Sequence, residues 1–465
     1  MGMGVSSWRL ASAMAQTGQL GVVSGVALDS LRARRLQDGD ADGSMRRALD
    51  HFPGPSMAAE ARERYFIEGG RQEGQPYLPV PKLSLEPARR QQELGVLGNF
   101  VEVWLAKEGH GGMVGINYME TVQLATPAAV LGAMLADVDY VLMGAGIPRE
   151  IPHLLNEFAA GRDGTLTIAV AASSQTHTLT VSPSGLLGSA LPALRRPTFL
   201  AIVSAHALAH YLARDEEIRP DGFVIEGPTA GGHSAPPRGR LTLDETNQPV
   251  YGSRDDADLE KIAAIGLPFW LAGGYGRPER VAEAQAAGAA GVQVGTLFAL
   301  SRESGFSDEL RGQVLDQIDR LELSVHNDAA ASPTGFPFKV ARLPGTLSDP
   351  EVYAARTRLC DLSYLREPFL RSNGEVGFRC PAEPVHMYVR KGGDAADTVG
   401  RTCLCNALTS TIGLGQTRKD GYKEMPIVTL GSDIDGATVL RAAHPGGWAA
   451  ADVVSWLLAG ANAPA

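Results

Sequence analysis

Seven short apolar runs recur between residues 20 and 296, and each closes on glycine or a small polar residue. They read "LGVVSG" (20–25), "MVGINY" (113–118), "YVLMGAG" (140–146), "TFLAIVS" (198–204), "GFVIEG" (222–227), "PFWLAGG" (268–274) and "GVQVGT" (291–296). Each has the length of one strand and almost no polar alternation. A strand that is apolar along its whole length is buried on both faces, as in a parallel sheet covered by helices.

Helix-like segments separate the runs. "ATPAAVLGAMLAD" (125–137) offers Thr126 as N-cap and Pro127 at the first helical position. "SAHALAHYLARD" (204–215) and "RPERVAEAQAAG" (277–288) follow the same pattern, the second closing on glycine. The alternation predicts an α/β chain built as a (β/α)8 TIM barrel, with an open doubly wound sheet as the alternative. Seven runs leave one strand short. The opening "MGMGVSSWRLASAMAQTG" reads as the loop after a first strand, with Ser6 or Ser7 capping a helix, so the first strand is expected to be truncated and to lie upstream. Two stretches break the rhythm: a helical insertion after strand two, about 26–112, and a small β-rich insertion before strand five, about 162–196. The expected division is a barrel over 1–325 and an irregular, cysteine-containing C-terminal extension over 326–465, packed on the barrel.

Composition narrows the partners. The chain has 465 residues, 44% of them hydrophobic, and a formal net charge of −10. An acidic chain lacks the basic face that nucleic acid needs. No apolar run approaches the roughly 20 residues that span a bilayer, and no export signal opens the sequence. The expectation is a cytoplasmic protein with a small-molecule substrate and no nucleic-acid or membrane partner; a homodimer stays open. The four cysteines, Cys360, Cys380, Cys403 and Cys405, all fall in the last quarter, so the barrel has no thiol nucleophile. Buried reduced thiols are one reading of them. A zinc or iron–sulfur module is the other, although the single residue between Cys403 and Cys405 departs from the usual two-residue knuckle.

Barrel active sites sit at the C-terminal ends of the strands, and the glycine clusters fall there: "MGMG", "GIN", "GAG", "GPTAGGH", "LAGGYG" and "VGT". Bare backbone N–H groups at Gly273, Gly274, Gly295 and Thr296, each cluster preceding a helix, suit a phosphate dianion. Asn117 can both donate and accept at the edge of a planar heterocycle. His233, after "AGG", would project its ring over a floor cleared of side chains, with a pKa suited to proton transfer or to pairing with an anion. Glu226 reads as a structural partner of loop backbone. Phe336 and Phe338, in "SPTGFPFKV" (332–340), either wall the substrate pocket or pack the tail.

"GPTAGGH", "LAGGYG" and "VGT", with "GMG" at the start and "GIN" at the third strand, resemble the FMN-dependent nitronate monooxygenase (2-nitropropane dioxygenase) family, whose superfamily includes FMN-dependent enoyl-thioester reductases. The resemblance covers roughly 1–340. It implies a TIM barrel holding FMN at its mouth: Met3 and Gly4 against the flavin ring, Asn117 near its polar edge, and Gly231 and Gly232 close to it. Gly273, Gly274, Gly295 and Thr296 would hold the phosphate, and His233 would match the catalytic histidine. Thr229 stands where many members carry an acid, and "SAPPRG" after the histidine is longer than the usual glycine turn. The implied activity is oxidation of alkyl nitronates by FMN and O2 to a carbonyl compound and nitrite, with protonated His233 holding the nitro oxygens. The alternative is enoyl-thioester reduction with NAD(P)H in fatty-acid or polyketide assembly. A related inosinate dehydrogenase needs a loop cysteine, which the barrel lacks.

Overall fold

A computed structural model describes residues 2–459; Met1 and the last six residues of the extension lie outside the described part. The chain is mixed α/β. Seven parallel strands form one sheet: β1 (Gly21–Ser24), β2 (Val114–Met119), β3 (Tyr140–Gly144), then, after a separate antiparallel hairpin β4 (Gly164–Ile168) and β5 (His177–Val181), β6 (Thr198–Val203), β7 (Gly222–Glu226), β8 (Phe269–Ala272) and β9 (Gly291–Gln293). They lie side by side in chain order, β1-β2-β3-β6-β7-β8-β9. This is the order of a half-barrel in which every crossover runs the same way, so all the C-terminal strand ends share one edge.

Each apolar run of the sequence contains one of these strands, β2 alone extending one residue beyond its run, to Met119. β6 and β7 are buried almost throughout, as continuous apolar runs require. The parallel sheet of the described residues has seven strands, with β1 and β9 as the edges. Residues 2–6 lie beside them: Ser24 N–H donates to Ser6 O at 2.8 Å, and Gly305 N–H donates to Val5 O at 2.7 Å.

Two expected helix caps are absent. Ser7 sits at the N-cap position of the helix Trp8–Gln16 but makes no side-chain cap bond. The Glu102 carboxylate, from the helix Arg89–Lys107, accepts the Trp8 N–H instead at 2.8 Å. An acid placed there also favours the helix N-terminus. Thr126 is the first residue of the helix Thr126–Leu135, and its hydroxyl donates back to Val122 O at 3.2 Å, because a preceding 3-10 turn already feeds the helix.

Between β1 and β2 run four helices, Leu28–Gln37, Ser44–Asp50, Pro55–Tyr65 and Arg89–Lys107. The segment after residue 325, expected to be irregular, is ordered. It carries two antiparallel pairs, β10 (Val325–Asp328) with β11 (Phe338–Ala341) and β12 (Glu367–Leu370) with β13 (Val376–Arg379), and the helices Leu404–Thr411, Asp435–Ala443 and Ala450–Ala459. Fully buried Trp448 anchors it to the sheet unit, its indole N–H donating to Leu297 O at 2.8 Å. No helix among the described residues is long and apolar enough to cross a membrane.

Candidate active site

The ends of β7, β8 and β9 open into a cleft with an empty volume of about 1170 Å³, its mouth included. Gly231 and Gly232 line it after β7, Gly273 and Gly274 after β8, and Gly295 and Thr296 after β9, with Asn117 from β2 at the inner side. A second cavity adjoins it across Asn117, Glu226, Gly231 and Gly232, and there Met3 and His233 join the lining. Gly4 does not belong to either cavity: a Cβ on it would lie 2.5 Å from Ile412 Cδ1, so it packs against the tail. Gly2 lines both cavities in its place.

The glycines serve two purposes. Gly273 (φ +86°) and Gly274 (φ +77°) take a left-handed backbone, and a Cβ on Gly273 would meet Gly227 O at 2.9 Å. At Gly232 and Gly295 a Cβ would find no protein atom within 4 Å and would stand in open space beside the cleft. Thr296 begins the short helix Thr296–Ala299, whose first N–H groups have no carbonyl of their own within the helix. Bare backbone with free donors facing a long cleft is a cradle for a phosphate-bearing ligand. No lysine or arginine side chain lines either cavity; Glu226 and Asp433 are the acids of the first and Glu226 of the second.

His233 faces the second cavity. Its Nε2 pairs with Ser332 Oγ at 2.7 Å, and its ring meets Phe338 edge-on with centroids 4.9 Å apart. Ser332 Oγ in turn pairs with Thr334 Oγ1 at 2.8 Å. Burial pushes the imidazole down from its ordinary 6.5 to about 4, so His233 is neutral at neutral pH, and the protonated histidine expected from sequence is replaced by an uncharged one. Phe338 walls the cavity; Phe336 does not line it.

Glu226 ends β7 between the two cavities rather than holding loop backbone, and its carboxylate has no hydrogen bond to another described residue. Burial raises it to about 7. The loop backbone is instead held by Lys339, 2% exposed, whose Nζ donates to Pro228 O at 2.6 Å and Ser234 Oγ at 2.9 Å.

Sequence reasoning missed the tail's share of the site. Thr429 Oγ1 accepts the Gly232 N–H at 2.9 Å, and the Gly431 N–H donates to Thr296 Oγ1 at 2.9 Å. Tyr364, Leu365, Leu404 and Leu408 add apolar wall to the second cavity. The signal was present: "IVTLGSD" (427–433) is one more apolar run that ends in glycine. The four cysteines are unbridged, and no group of three or more His, Cys, Asp or Glu among the described residues is arranged to hold a metal.

Residues 171–329 match the family described as nitronate monooxygenase. A dehydrogenase from Mycobacterium tuberculosis, named for a 5-hydroxy-7a-methyl-1-oxo-octahydro-indene-4-carboxyl-CoA substrate, is 30% identical over 95 residues, 20% of this chain and 23% of that protein. The match therefore spans less than a quarter of that relative's length. Among solved structures, FabK from Thermotoga maritima is similar at 14% identity and a TM-score of 0.46, covering 98% of this chain and 89% of that one. A nitroalkane oxidase from Streptomyces ansochromogenes is similar at 15% identity and a TM-score of 0.45, covering 99% and 93%. At those scores the architecture rests on the strand order itself. The matched stretch contributes three strand ends to the cradle and carries His233, and over those residues the chain is similar to the nitronate monooxygenase family.

Proposed function

We propose that the chain is a (β/α)8-type enzyme that binds FMN, its phosphate held by Gly273, Gly274, Gly295 and Thr296 and its ring beside Asn117, Gly231 and Gly232. The cleared backbone at Gly232 and Gly295 supports this fit. Met3 is placed in the second cavity, where substrate would meet the ring; Gly4 is left out of the cradle. FMN, when bound, supplies transfer of two electrons as a hydride.

One observation orders the candidate substrates: the second cavity is apolar, has no cationic side chain, and carries a neutral imidazole. An alkyl nitronate is an anion and would meet Glu226 in a cavity with no lysine or arginine in its lining, the charge of Lys339 acting on Glu226 from outside that lining. We therefore place reduction of an uncharged, apolar enoyl thioester, with NAD(P)H as the source of electrons, ahead of nitronate oxidation. In this reading Met119, Ile202, Phe338 and Leu404 hold the chain of the substrate and exclude water. His233, oriented by Ser332, donates a hydrogen bond to the thioester carbonyl, where charge develops in the transition state. Glu226, protonated for part of the time at neutral pH, is the proton source nearest both cavities. The nitronate reading keeps the support of the family match, with O2 as acceptor.

Anaerobic mixing separates the two. Rapid loss of flavin absorbance with NADPH, and none with propyl-2-nitronate, is the expected result; the reverse replaces the reductase with the oxidase. Protein that stays colourless after incubation with excess FMN ends both readings.

A further inference from the structure

Ser332, the partner of His233, sits in the turn 329–337 between β10 and β11, which is neither helix nor strand. Backbone groups in such a turn need partners from elsewhere, and here they have them. Asp328 Oδ1 accepts the N–H groups of Ala330 and Ala331 at 2.7 and 3.0 Å. Three carbonyls in a row are then taken by residues 401 and 402. The Arg401 guanidinium donates to Ala330 O at 2.8 Å and to Ser332 O at 2.5 Å, and the Thr402 N–H donates to Ala331 O at 2.9 Å. The approach is close: a Cβ on Gly400 would lie 2.8 Å from Ala330 Cβ.

The remaining bond of the Arg401 side chain goes to Asp397 O at 3.0 Å, so its hydrogen bonds all serve backbone carbonyls. Bonds from a charged donor are stronger than neutral ones, and the planar guanidinium fixes their directions. Arg401 is itself held from behind, its own carbonyl accepting from Tyr353 Oη at 3.1 Å and from Arg356 at 3.0 Å. The helix Leu404–Thr411 begins three residues after Arg401, and its Leu404, Cys405 and Leu408 line the second cavity. One connector therefore touches both the partner of His233 and the wall that faces the ring.

The backbone of His233 has separate supports. Ser234 N–H donates to Pro337 O and Lys339 N–H donates to Gly232 O, both at 2.9 Å, which fixes the chain on either side of the histidine. The direction of the ring is set by rotation about its side-chain bonds, and the hydrogen bond that restrains this rotation comes from Ser332 Oγ.

We propose that Arg401 is a positioning residue for His233. By locking the carbonyls on both sides of Ser332 it holds the serine hydroxyl in place, and through it the angle at which the imidazole faces the cavity. The proposal rests on the reading of His233 as the group that meets the substrate.

The test is a double-mutant cycle on the flavin-loaded full chain, assayed with trans-2-octenoyl-CoA and NADPH or, where that pair is not turned over, with propyl-2-nitronate and O2. Arg401→Ala is expected to lower kcat by about tenfold, near the worth of one hydrogen bond, and to leave KM and flavin retention within about twofold of wild type. In a Ser332→Ala background the same substitution should cost less than about twofold, because the route runs through Ser332. An equal loss in both backgrounds would overturn the proposal. Should Arg401→Ala fail to fold, Arg401→Lys goes through the same cycle, with a loss of about threefold that disappears beside Ser332→Ala.

A second readout needs neither flavin nor turnover. In histidine-labelled, flavin-free protein the ring nitrogen signals of His233, identified by their loss in His233→Ala, should move in the Arg401 variant as they move in Ser332→Ala. Signals that stay where they are in wild type would also overturn the proposal. A chain that turns over neither substrate refutes the reading of the site, and the ring signals then decide the role of Arg401 by themselves.

Discussion

His233 Nε2 lies 2.7 Å from Ser332 Oγ, a partner 99 residues further along the chain. That pairing sets which way the ring faces, because Ser332 is itself fixed by Thr334 Oγ1 and by the backbone bonds of its own turn. The imidazole is therefore positioned by the segment that enters β11, not by the glycine loop that carries it.

Removing the ring and removing its support should differ in size. His233→Ala is expected to lower kcat/KM by about 100-fold or more, the usual range for a positioned acid–base or hydrogen-bonding group. Ser332→Ala should cost about tenfold, near the worth of one hydrogen bond. Both should retain full flavin, checked by absorbance ratio in the same preparations used for steady-state kinetics.

Two buried groups should tilt the pH dependence of stability in opposite directions. Burial keeps His233 neutral down to about 4, so from 6.5 to 4 the unfolded chain takes up the proton first and the native state weakens as pH falls. Burial raises Glu226 from 4.5 to about 7, so the native state holds that proton longer and weakens as pH rises from 4.5 to 7. Each window amounts to about 3 kcal/mol at about 1.4 kcal/mol per pKa unit. Urea unfolding should find Glu226→Gln more stable than wild type at pH 8 and unchanged at pH 4. His233→Gln should gain on wild type only as pH drops below 6.5. Parallel curves for variant and wild type would contradict the burial of either group.

Two glycines allow binding to be separated from folding. Gly295 has φ −113° and open space where a Cβ would stand. Gly295→Ala should leave flavin-free stability within about 0.5 kcal/mol of wild type while weakening flavin retention by about tenfold, or about 1.4 kcal/mol. A Cβ on Gly231 would lie 2.8 Å from Gly431 N. Gly231→Ala should therefore destabilise the flavin-free protein by about 1–3 kcal/mol through overpacking. Thermal unfolding with and without FMN reads both effects.

Arg418 links the tail internally, donating to Asp361 Oδ2 at 2.6 Å and to the Glu424 carboxylate. Glu424 is mostly buried there. Arg418→Ala leaves that acid without its cation and should cost about 3 kcal/mol, measured as a shift in denaturant midpoint that Arg418→Ala/Glu424→Gln recovers in large part.

The sheet was legible because burial on both faces writes itself as unbroken apolar runs, and runs 222–227 and 268–274 each contain their strand. Glycines at strand ends were legible for the same local reason: the backbone at Gly273 and Gly274 needs a left-handed turn. Whatever depends on distant packing was not. The charge state of His233 is set by burial among Phe338 and other chain-distant neighbours. Gly4 shares the glycine pattern of its neighbours, yet its position is decided by Ile412. Tail residues such as Thr429 and Tyr364 reach the site through tertiary contact, and a single apolar run among irregular sequence carries no period to mark it.

Thr429 and Gly431 stitch the extension onto the glycine floor, Thr429 at the loop after β7 and Gly431 at Thr296 after β9. Whatever the floor holds also holds the extension, since a ligand that prefers the assembled mouth stabilises every contact needed to assemble it. Detachment of the C-terminal third and release of the nucleotide should then be one event, so that the rate at which a protease clips the extension gauges how full the mouth is.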